Sequence, residues 1–369
     1  MLLSNHELSQ YGLPAGESDL ADASYALLKQ QHATWPMLQK GASTLGSVIV
    51  REIEFDGFSM KLQFNPGRIV SSAAKVDAKT IAERKCFLCL NHLPNEQKGI
   101  VARGESFGTD EAISGLSHTS SDQMRGESHG ADETVSNASN YVILVNPFPI
   151  FSEHFTIPHR LHVPQRILGS IPAMLDITSQ VGSRYSLFYN GPRCGASAPD
   201  HLHFQAGDFG FMTIDHSWPS LVEQHGQWVR ESDQIRVAKV DDGLRRFFVI
   251  ESDDKTQALV EFTRIYHAFE NLNPLLHPGV NDLEEPMVNV LTSYRDGTWR
   301  IIVFLRKKHR PNQFFLEGDD QILFSPASVD FGGVCITPVQ KDFESITRDN
   351  LTDMFNQLSI PAELFKKLS

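Results

Sequence analysis

Residues 201–206, HLHFQA, alternate polar and apolar side chains, and this alternation strongly constrains the local structure. In a β-strand, side chains at positions i, i+2 and i+4 point to one face, and the side chains between them point to the other. The pattern therefore predicts a strand with its apolar residues against a core and a polar row of His201, His203 and Gln205. A face that only meets water would more usually carry Thr, Lys or Glu. The residue types thus favour a functional face over a simply solvated one.

The composition is that of an ordinary globular protein and excludes several functions. The chain of 369 residues is long enough for two domains or one large two-part domain. Its formal net charge of −12 argues against general binding to nucleic-acid phosphates, although a small cationic pocket for a phosphate-bearing ligand stays compatible with it. Four cysteines in this length argue against a disulfide framework. Because the sequence has neither a signal-peptide pattern nor a membrane-length apolar stretch, we expect a cytoplasmic protein without nucleic-acid or membrane partners.

Two hairpin signals and one amphipathic segment indicate an α+β fold. Asp56-Gly57 and Asp296-Gly297 each separate two β-rich runs, which is a strong hairpin signal. The segment 255–272 is typical of an amphipathic helix. Since each half offers a hairpin, further strands and a helix, we predict two similar α+β units, 1–235 and 236–369, rather than a parallel βαβ fold.

The region from about residue 100 to 140 is polar and contains an imperfect repeat. The run RGESFGTDEAIS from Arg103 is echoed by RGESHGADETVS from Arg125. Two copies rich in Gly, Ser, Asp and Glu do not make a core. We predict a surface insert in the first unit, without a catalytic role.

Cys86 and Cys89 form a C-x-x-C step that has three interpretations. The simplest interpretation is a pair of buried cysteines that behave as apolar residues. A redox dithiol would need a thioredoxin-like βαβ context, which is absent here. As half of a zinc site, the step needs two more ligands. His201 with either His162 or His159 can supply them.

If His201 is a zinc ligand, His203 is free for chemistry. A neutral imidazole offers a lone pair as a nucleophile, and the Gln205 amide can donate to a phosphate oxygen. The preceding loop, YNGPRCGAS, has small residues whose main-chain N–H groups can wrap a phosphate. The candidate substrate contacts in this loop are Asn190, Gly195 and Ser197. In QFNPGR, Asn65 and Arg68 are further candidate ligand contacts, and a plain turn beside the hairpin is an equally weighted alternative.

Several of these motifs resemble one family. HLHFQA behind a Gly- and Ser-containing loop resembles the H-x-H-x-Q active strand of the histidine-triad-like nucleotidyltransferases. That branch includes galactose-1-phosphate uridylyltransferase, diadenosine tetraphosphate phosphorylase and the GDP-sugar phosphorylases. CFLC resembles the zinc-binding step of the uridylyltransferases, and IPHRLHVPQRI resembles a segment of the GDP-L-galactose and GDP-glucose phosphorylases. MVNVLTSYRDGTWRIIVFLRKKHRP and SPASVDFGGVCITP resemble parts of the family's C-terminal repeat.

The resemblance implies a fold, a mechanism and a ligand set. The fold would be two histidine-triad-like units, each with an antiparallel sheet and packed helices, paired as in the uridylyltransferases. His203 would attack the α-phosphorus of a nucleoside diphosphate sugar, and phosphate or a sugar 1-phosphate would then accept the nucleotide. A structural zinc ion would be held by Cys86, Cys89, His201 and either His162, which we assign, or His159. A homodimer would also suit the family.

The residue type of Gln205 indicates a reaction type, and two other functions are considered beside it. Gln205 cannot donate a proton as a histidine can, so it favours transfer between phosphates over hydrolysis of an amine or ester. One rival is a non-catalytic, zinc-stabilised nucleotide-binding protein of the same fold, and another is a dinucleoside polyphosphate phosphorylase. A metallohydrolase would need an H-x-H-x-D-H pattern, which the sequence lacks.

Overall fold

The computed structural model of the protein describes residues 2–14, 18–69, 78–104, 140–279 and 285–368. Most of the predicted polar insert, residues 105–139, lies outside these ranges. Helices and antiparallel strands alternate through the described part of the chain, so the predicted α+β class is confirmed.

The centre of the molecule is a ten-stranded antiparallel sheet, to which each half of the chain contributes five strands. The first five are β3 (Gly99–Ala102), β4 (Tyr141–Val145), β5 (Phe155–Pro158), β6 (Tyr185–Asn190) and β7 (His203–Asp208). The second five are β8 (Gly226–Glu231), β9 (Ile235–Asp241), β10 (Arg246–Ser252), β11 (Val288–Arg295) and β12 (Thr298–Leu305).

The two sets of strands have the same topology. From the outer edge inwards, the order is β3-β4-β5-β7-β6 in one half and β8-β9-β10-β12-β11 in the other, and the halves join where β6 pairs with β11. In each half a long helix follows the third strand: α5 (Ile171–Val181) after β5, and α7 (Lys255–Glu270) after β10. The division of the chain at residue 235 stays a prediction. By the strand repeat, β8, which precedes residue 235, belongs with the second half.

A smaller, three-stranded sheet pairs strands from the N-terminal and C-terminal parts of the chain. The predicted hairpin at Asp56-Gly57 forms β1 (Ile49–Glu54) and β2 (Ser59–Phe64). The late strand β13 (Val334–Thr337) pairs in parallel with β2. This pairing brings the residues that follow β2 close to the C-terminal half.

Ten further helices lie in the described ranges. They are α1 (Asn5–Ser9), α2 (Leu20–Thr34), α3 (Pro36–Ser43), α4 (Ala78–Glu83), α6 (Ile214–His225), α8 (Asn273–Leu276), α9 (Ser328–Phe331), α10 (Gln340–Ser345), α11 (Arg348–Leu358) and α12 (Ala362–Lys367). No helix in the described ranges is long and apolar enough to cross a membrane.

Local sequence signals explain the main boundaries. Asp296 and Gly297, between β11 and β12, have φ angles of 51° and 79°, the left-handed backbone that a two-residue hairpin turn requires. Helix α7 begins at an Asp254 cap, whose carboxylate accepts from the main-chain N–H of Thr256 at 2.7 Å. These are the positions at which the sequence predicts a hairpin and a helix.

Apolar residues fill both faces of the large sheet. One core lies under helices α2, α5 and α7 and includes Phe204 of β7, which is fully buried. The other core lies between the large sheet, the small sheet and helices α6 and α11, and includes Phe188. Burial of this apolar surface supplies most of the driving force for folding.

The joint between the halves is polar. Asn190 of β6 lies opposite Asn289 of β11, and the Asn289 side-chain nitrogen donates to the Asn190 side-chain oxygen at 2.9 Å. The Asn289 oxygen accepts from the guanidinium of Arg306 at 2.8 Å. Arg306 is fully buried and donates also to the carbonyl of Pro326 at 2.8 Å, so its charge depends on these acceptors.

We expect Asn289→Ala to lower the free energy of unfolding by about 3 kcal/mol, since it removes one acceptor of the buried Arg306 and one donor to Asn190 from the core. Urea unfolding followed by circular dichroism measures this loss. Asn95→Ala, at an exposed position, is the matched control and should change the value by less than about 0.5 kcal/mol. Equal stability of the two variants would contradict the importance of the joint.

Candidate active site and metal centre

Strand β7 carries the polar row between two neighbouring strands. It pairs with β5 on one side and with β6 on the other, which places Gln205 opposite both Thr156 and Phe188. The regular strand begins at His203, and His201 lies in the turn that leads into it. His201 and His203 are both buried, and Gln205 is half-buried.

The imidazole of His203 is fixed in one orientation and one tautomer. Its Nδ1 lies 2.8 Å from the main-chain carbonyl oxygen of His201. Because a carbonyl only accepts, Nδ1 carries the hydrogen and Nε2 keeps the lone pair. Burial lowers the pKa of His203 to about 4, so the ring is neutral at physiological pH.

Gln165 holds the main chain of His203, and sequence reasoning did not identify it. The strand partner of His203 is Pro158, which has no N–H to donate. The Gln165 amide serves instead: its oxygen accepts from the His203 N–H at 2.8 Å, and its nitrogen donates to the His203 carbonyl at 3.1 Å. The same nitrogen donates to the Asn190 carbonyl at 2.9 Å, which links β7 to the end of β6.

His154 orients the side chain of Gln205. Nε2 of His154 lies 2.8 Å from Oε1 of Gln205, and Nδ1 accepts from the main-chain N–H of Ile150 at 3.3 Å. Since Nδ1 accepts, Nε2 carries the hydrogen and donates to the Gln205 oxygen. The amide NH₂ of Gln205 is therefore left to meet a ligand. Burial lowers the pKa of His154 to about 3, which keeps this arrangement neutral.

Cys86, Cys89, His162 and His201 come together as the sequence predicts, and they could hold a metal ion such as zinc. Their ligand atoms all lie within 4.8 Å of one another. Sγ of Cys86 is 3.3 Å from Nδ1 of His201, and Sγ of Cys89 is 3.2 Å from Nδ1 of His162. A tetrahedral zinc ion with bonds of about 2.0–2.3 Å would separate its ligand atoms by roughly 3.3–3.8 Å. The donor set and the spacing therefore fit zinc.

His159, the alternative ligand, lies outside this cluster. Its Nδ1 donates to the main-chain carbonyl of Leu161 at 3.0 Å, and its ring packs edge-on against Tyr141. Its carbonyl oxygen accepts from Nε2 of His201 at 2.8 Å, which turns Nδ1 of His201 towards the cysteines. His159 thus orients a ligand instead of supplying one.

Charged neighbours surround the four ligands. A carboxylate oxygen of Asp200 lies 3.6 Å from Nε2 of His162, and Arg84 donates to Asp200 at 2.8 Å. Burial and the adjacent Cys86 raise the pKa of the Cys89 thiol to about 11. A cation would supply the positive charge that a thiolate needs at this position.

The loop between β6 and β7 meets a segment of the second half that sequence reasoning did not connect to it. Gly195 has a φ of 97°, and a Cβ there would lie 2.6 Å from Cβ of Ala327, so only glycine fits. The side-chain oxygen of Asn190 accepts from the main-chain N–H of Ser328 at 2.8 Å, so the structure engages it within the protein. Ser197 is exposed on the loop.

Asn65 and Arg68 follow β2 and lie on the Gln205 side of the row. Arg68 donates to the carbonyl of Phe148 at 3.1 Å, and its charge lowers the pKa of His154 further. Asn65 is fully buried, and among the described residues neither of its side-chain polar atoms has a hydrogen-bond partner. Arg68 also lies near the buried Asp330 of α9, whose pKa burial raises to about 7.

Family models cover most of the chain. Residues 27–107 and 127–208 match a domain of unknown function, DUF4922, and residues 222–369 match the GDPGP1-like C-terminal domain. No curated protein matches the chain significantly.

Solved structures of a yeast enzyme resemble the chain along most of its length. Yeast Ap4A phosphorylase Apa2 is 14% identical, with a TM-score of 0.52 over 91% of this chain and 97% of that chain. Its complex with AMP is 13% identical, with a TM-score of 0.48 over 88% and 96% of the two chains. Its complex with Ap4A is 16% identical, with a TM-score of 0.48 over 91% and 97%. The chain therefore carries a GDPGP1-like C-terminal domain on the fold of Ap4A phosphorylase, and at the level of the fold the predicted resemblance to the branch that includes diadenosine tetraphosphate phosphorylase is confirmed.

Proposed function

We propose that the protein is a nucleotidyltransferase that acts on a nucleoside diphosphate sugar through a covalent nucleotidyl-His203. The observation that carries the proposal is the neutral, buried imidazole of His203, whose Nδ1–H is bound by the His201 carbonyl. The GDPGP1-like C-terminal domain and the fold shared with yeast Ap4A phosphorylase support the same class of chemistry. In the yeast protein, the named ligands are nucleotides.

The reaction would proceed in two displacements at phosphorus. In the first, the Nε2 lone pair of His203 forms a bond to the α-phosphorus, the bond to the bridging oxygen breaks, and sugar 1-phosphate leaves with the electron pair. In the second, an oxygen of phosphate or of a sugar 1-phosphate attacks the same phosphorus, and the pair of the P–N bond returns to Nε2. The His201 carbonyl stabilises the positive charge that the ring carries in between.

Gln205 would hold the transferred phosphate. With its oxygen bound by His154, the amide can donate to a non-bridging oxygen of the α-phosphate. It cannot protonate a leaving group, and a phosphate leaving group needs little such help because its second pKa lies near ~6. This favours an acceptor and a leaving group that are both phosphates.

Cys86, Cys89, His162 and His201 would hold zinc as a structural ion. Bound there, zinc would fix the C-x-x-C segment to the residue whose carbonyl orients His203. Gly195 and Ser197, and Asn65 and Arg68 from the other end of the row, remain candidate substrate contacts. For Asn190, the engaged side-chain oxygen favours a role in the joint. A cytoplasmic location and a homodimer stay predictions.

A second candidate is a dinucleoside polyphosphate phosphorylase, which the fold of Ap4A phosphorylase favours. It would use the same nucleophile, and only the donor differs. A third, non-catalytic role in nucleotide binding would leave His203 unmodified. A single experiment that offers several nucleotide donors therefore distinguishes the three candidate functions.

We expect incubation with GDP-glucose, UDP-glucose, ADP-glucose or Ap4A, each without an acceptor, to add one nucleoside monophosphate to the protein. Intact-mass spectrometry after a fast quench measures the adduct, and the donor that reacts identifies the base and the class. His203→Ala should remove the adduct, and His6→Ala, an exposed histidine, should keep it. A folded wild-type protein that forms no adduct with any donor would contradict the proposal.

We expect Cys89→Ser and His162→Ala to lose bound zinc and to lower the melting temperature, because each removes a ligand from the cluster. Elemental analysis of the purified protein measures the zinc content. His159→Asn, which keeps a donor for the Leu161 carbonyl, should retain the metal. Loss of zinc in that variant alone would exchange the roles of His159 and His162.

We expect Gln205→Ala to slow adduct formation by about 100-fold, since it removes a donor to the developing phosphate charge. His154→Phe keeps the volume but cannot donate, so it should also slow the step, by about tenfold. In the double variant the loss should not exceed that of Gln205→Ala, because both changes act on one amide. Rates from rapid-quench mass spectrometry test this, and additive losses would show that His154 does not act through Gln205.

A further inference from the structure

The side chain that holds the main chain of His203 comes from an irregular segment. Gln165 lies between β5 and α5, in residues 160–170, which form neither helix nor strand. No strand ladder therefore fixes the place of Gln165, although two of its hydrogen bonds replace ladder bonds of β7. The contacts that anchor this segment decide where the main chain of His203 is held.

Two anchors bind the segment, one on each side of Gln165. Before it, the carbonyl of Val163 accepts from the main-chain N–H of Leu202 at 2.7 Å. After it, the main-chain N–H of Ile167 donates to Oε1 of Glu285 at 2.5 Å. The first anchor belongs to the chain that leads into β7. The second comes from the other half of the molecule, a few residues before β11.

Glu285 also binds the strand to which Gln165 donates. Its Oε2 accepts from the hydroxyl of Tyr189 at 2.7 Å. Tyr189 precedes Asn190, whose carbonyl accepts from the Gln165 amide at 2.9 Å. A Cβ at Gly191 would lie 3.2 Å from Oε2 of Glu285, so glycine leaves room for the carboxylate beside the end of β6. One carboxylate thus joins the Gln165 segment to β6.

The bridge is closed to water. Glu285 is 3% exposed, and Ile167 and Tyr189 are fully buried. A buried hydrogen bond has no competing water, and its removal leaves an unpaired group inside the protein. Because the surroundings are densely packed, the segment moves when this bridge is lost, and Gln165 moves with it.

We propose that Glu285 is a positioning residue for His203. Its carboxylate holds the segment that presents Gln165, and Gln165 holds the main chain of His203. The inference rests on the proposed function for its effect on the reaction. It gives the second half of the molecule a part in aligning the nucleophile.

Alignment affects the rate because Nε2 of His203 has to approach the α-phosphorus along the line of the breaking bond. A displacement of about 1 Å from the reactive geometry can slow a reaction by about 100-fold. Glu285 is one of two anchors of the segment, so its loss should cost less than this. The donor would be bound as before, since the carboxylate acts through Gln165.

Variants of the bridge are compared by their rates of adduct formation with the reactive donor over a range of concentrations, measured by rapid-quench mass spectrometry. Glu285→Ala removes both acceptors. Glu285→Gln keeps an acceptor for the Ile167 N–H, and its amide can donate to the Tyr189 hydroxyl oxygen. The matched control is Glu261→Ala, which removes another buried glutamate of the second half, one that binds Arg230 of β8 at 2.9 Å. Rates are expressed per folded protein, measured by circular dichroism.

We expect Glu285→Ala to lower the maximal rate by about 30-fold and to leave the half-saturating donor concentration within about twofold of the wild type. Glu285→Gln should stay within about threefold of the wild-type rate, and Glu261→Ala should keep that rate. Combined with Gln165→Ala, Glu285→Ala should add no further loss, because both changes act on the same main chain. A wild-type rate in Glu285→Ala, an equal loss in Glu261→Ala, or losses that multiply would overturn the positioning role.

A measurement on the free protein separates this inference from the proposed function. In protein labelled with ¹⁵N-histidine, long-range ¹H–¹⁵N spectra report both ring nitrogens of His203, whose signals are identified by their loss in His203→Ala. We expect Glu285→Ala to shift or broaden these signals and Glu261→Ala to leave them unchanged. Unchanged signals in Glu285→Ala would overturn the positioning role. Absence of the adduct in the wild type would overturn the proposed function, and the spectra would still decide whether Glu285 positions His203.

Discussion

The functional arrangement depends on one hydrogen bond, from Nδ1 of His203 to the main-chain carbonyl of His201. It decides which nitrogen carries the proton, and it leaves the lone pair on the other nitrogen, Nε2. Both ends of this bond are held independently: Gln165 binds the main chain of His203, and the His159 carbonyl binds the ring of His201. The same His201 belongs to the metal-ligand cluster. A metal ion at the cluster would thus stabilise the orientation of His203, the proposed nucleophile.

The two halves of the ten-stranded sheet have the same strand order, but their functional residues differ. Strand β12 occupies in the second half the place that β7 occupies in the first, and its sequence, TWRIIVFL, contains no histidine. The second half contributes differently, through the joint at Asn289 and Arg306 and through Ala327 and Ser328 beside the β6–β7 loop. The histidines of the candidate site therefore lie in the first half, and residues of the second half pack beside the loop that precedes them.

Short-range signals in the sequence predict much of this structure. The alternation in HLHFQA identifies the polar row, and the Asp-Gly pairs identify both hairpins, because side-chain period and turn geometry are local properties. The meeting of the Cys and His side chains that could hold a metal is also predictable, since a C-x-x-C step and an H-x-H strand each present ligands at fixed spacing. The choice of His162 over His159 is not, because it depends on how one loop closes against Tyr141 and Leu161.

Long-range pairings account for what the sequence does not reveal. His154 and Gln205 are 51 residues apart, and only the register of β5 against β7 brings them into contact. The pairing of β13 with β2, which brings Arg68 near Asp330, likewise joins opposite ends of the chain.

The most direct test of the account is the identity of the phosphorylated nitrogen. Protein labelled with ¹⁵N-histidine, reacted with the donor and examined by ³¹P NMR, reports the P–N bond through its splitting, and peptide mapping identifies the residue. The account predicts a single nucleotide on Nε2 of His203, because the bond to His201 leaves only that nitrogen unprotonated. Attachment to Nδ1, or to another histidine, would contradict it.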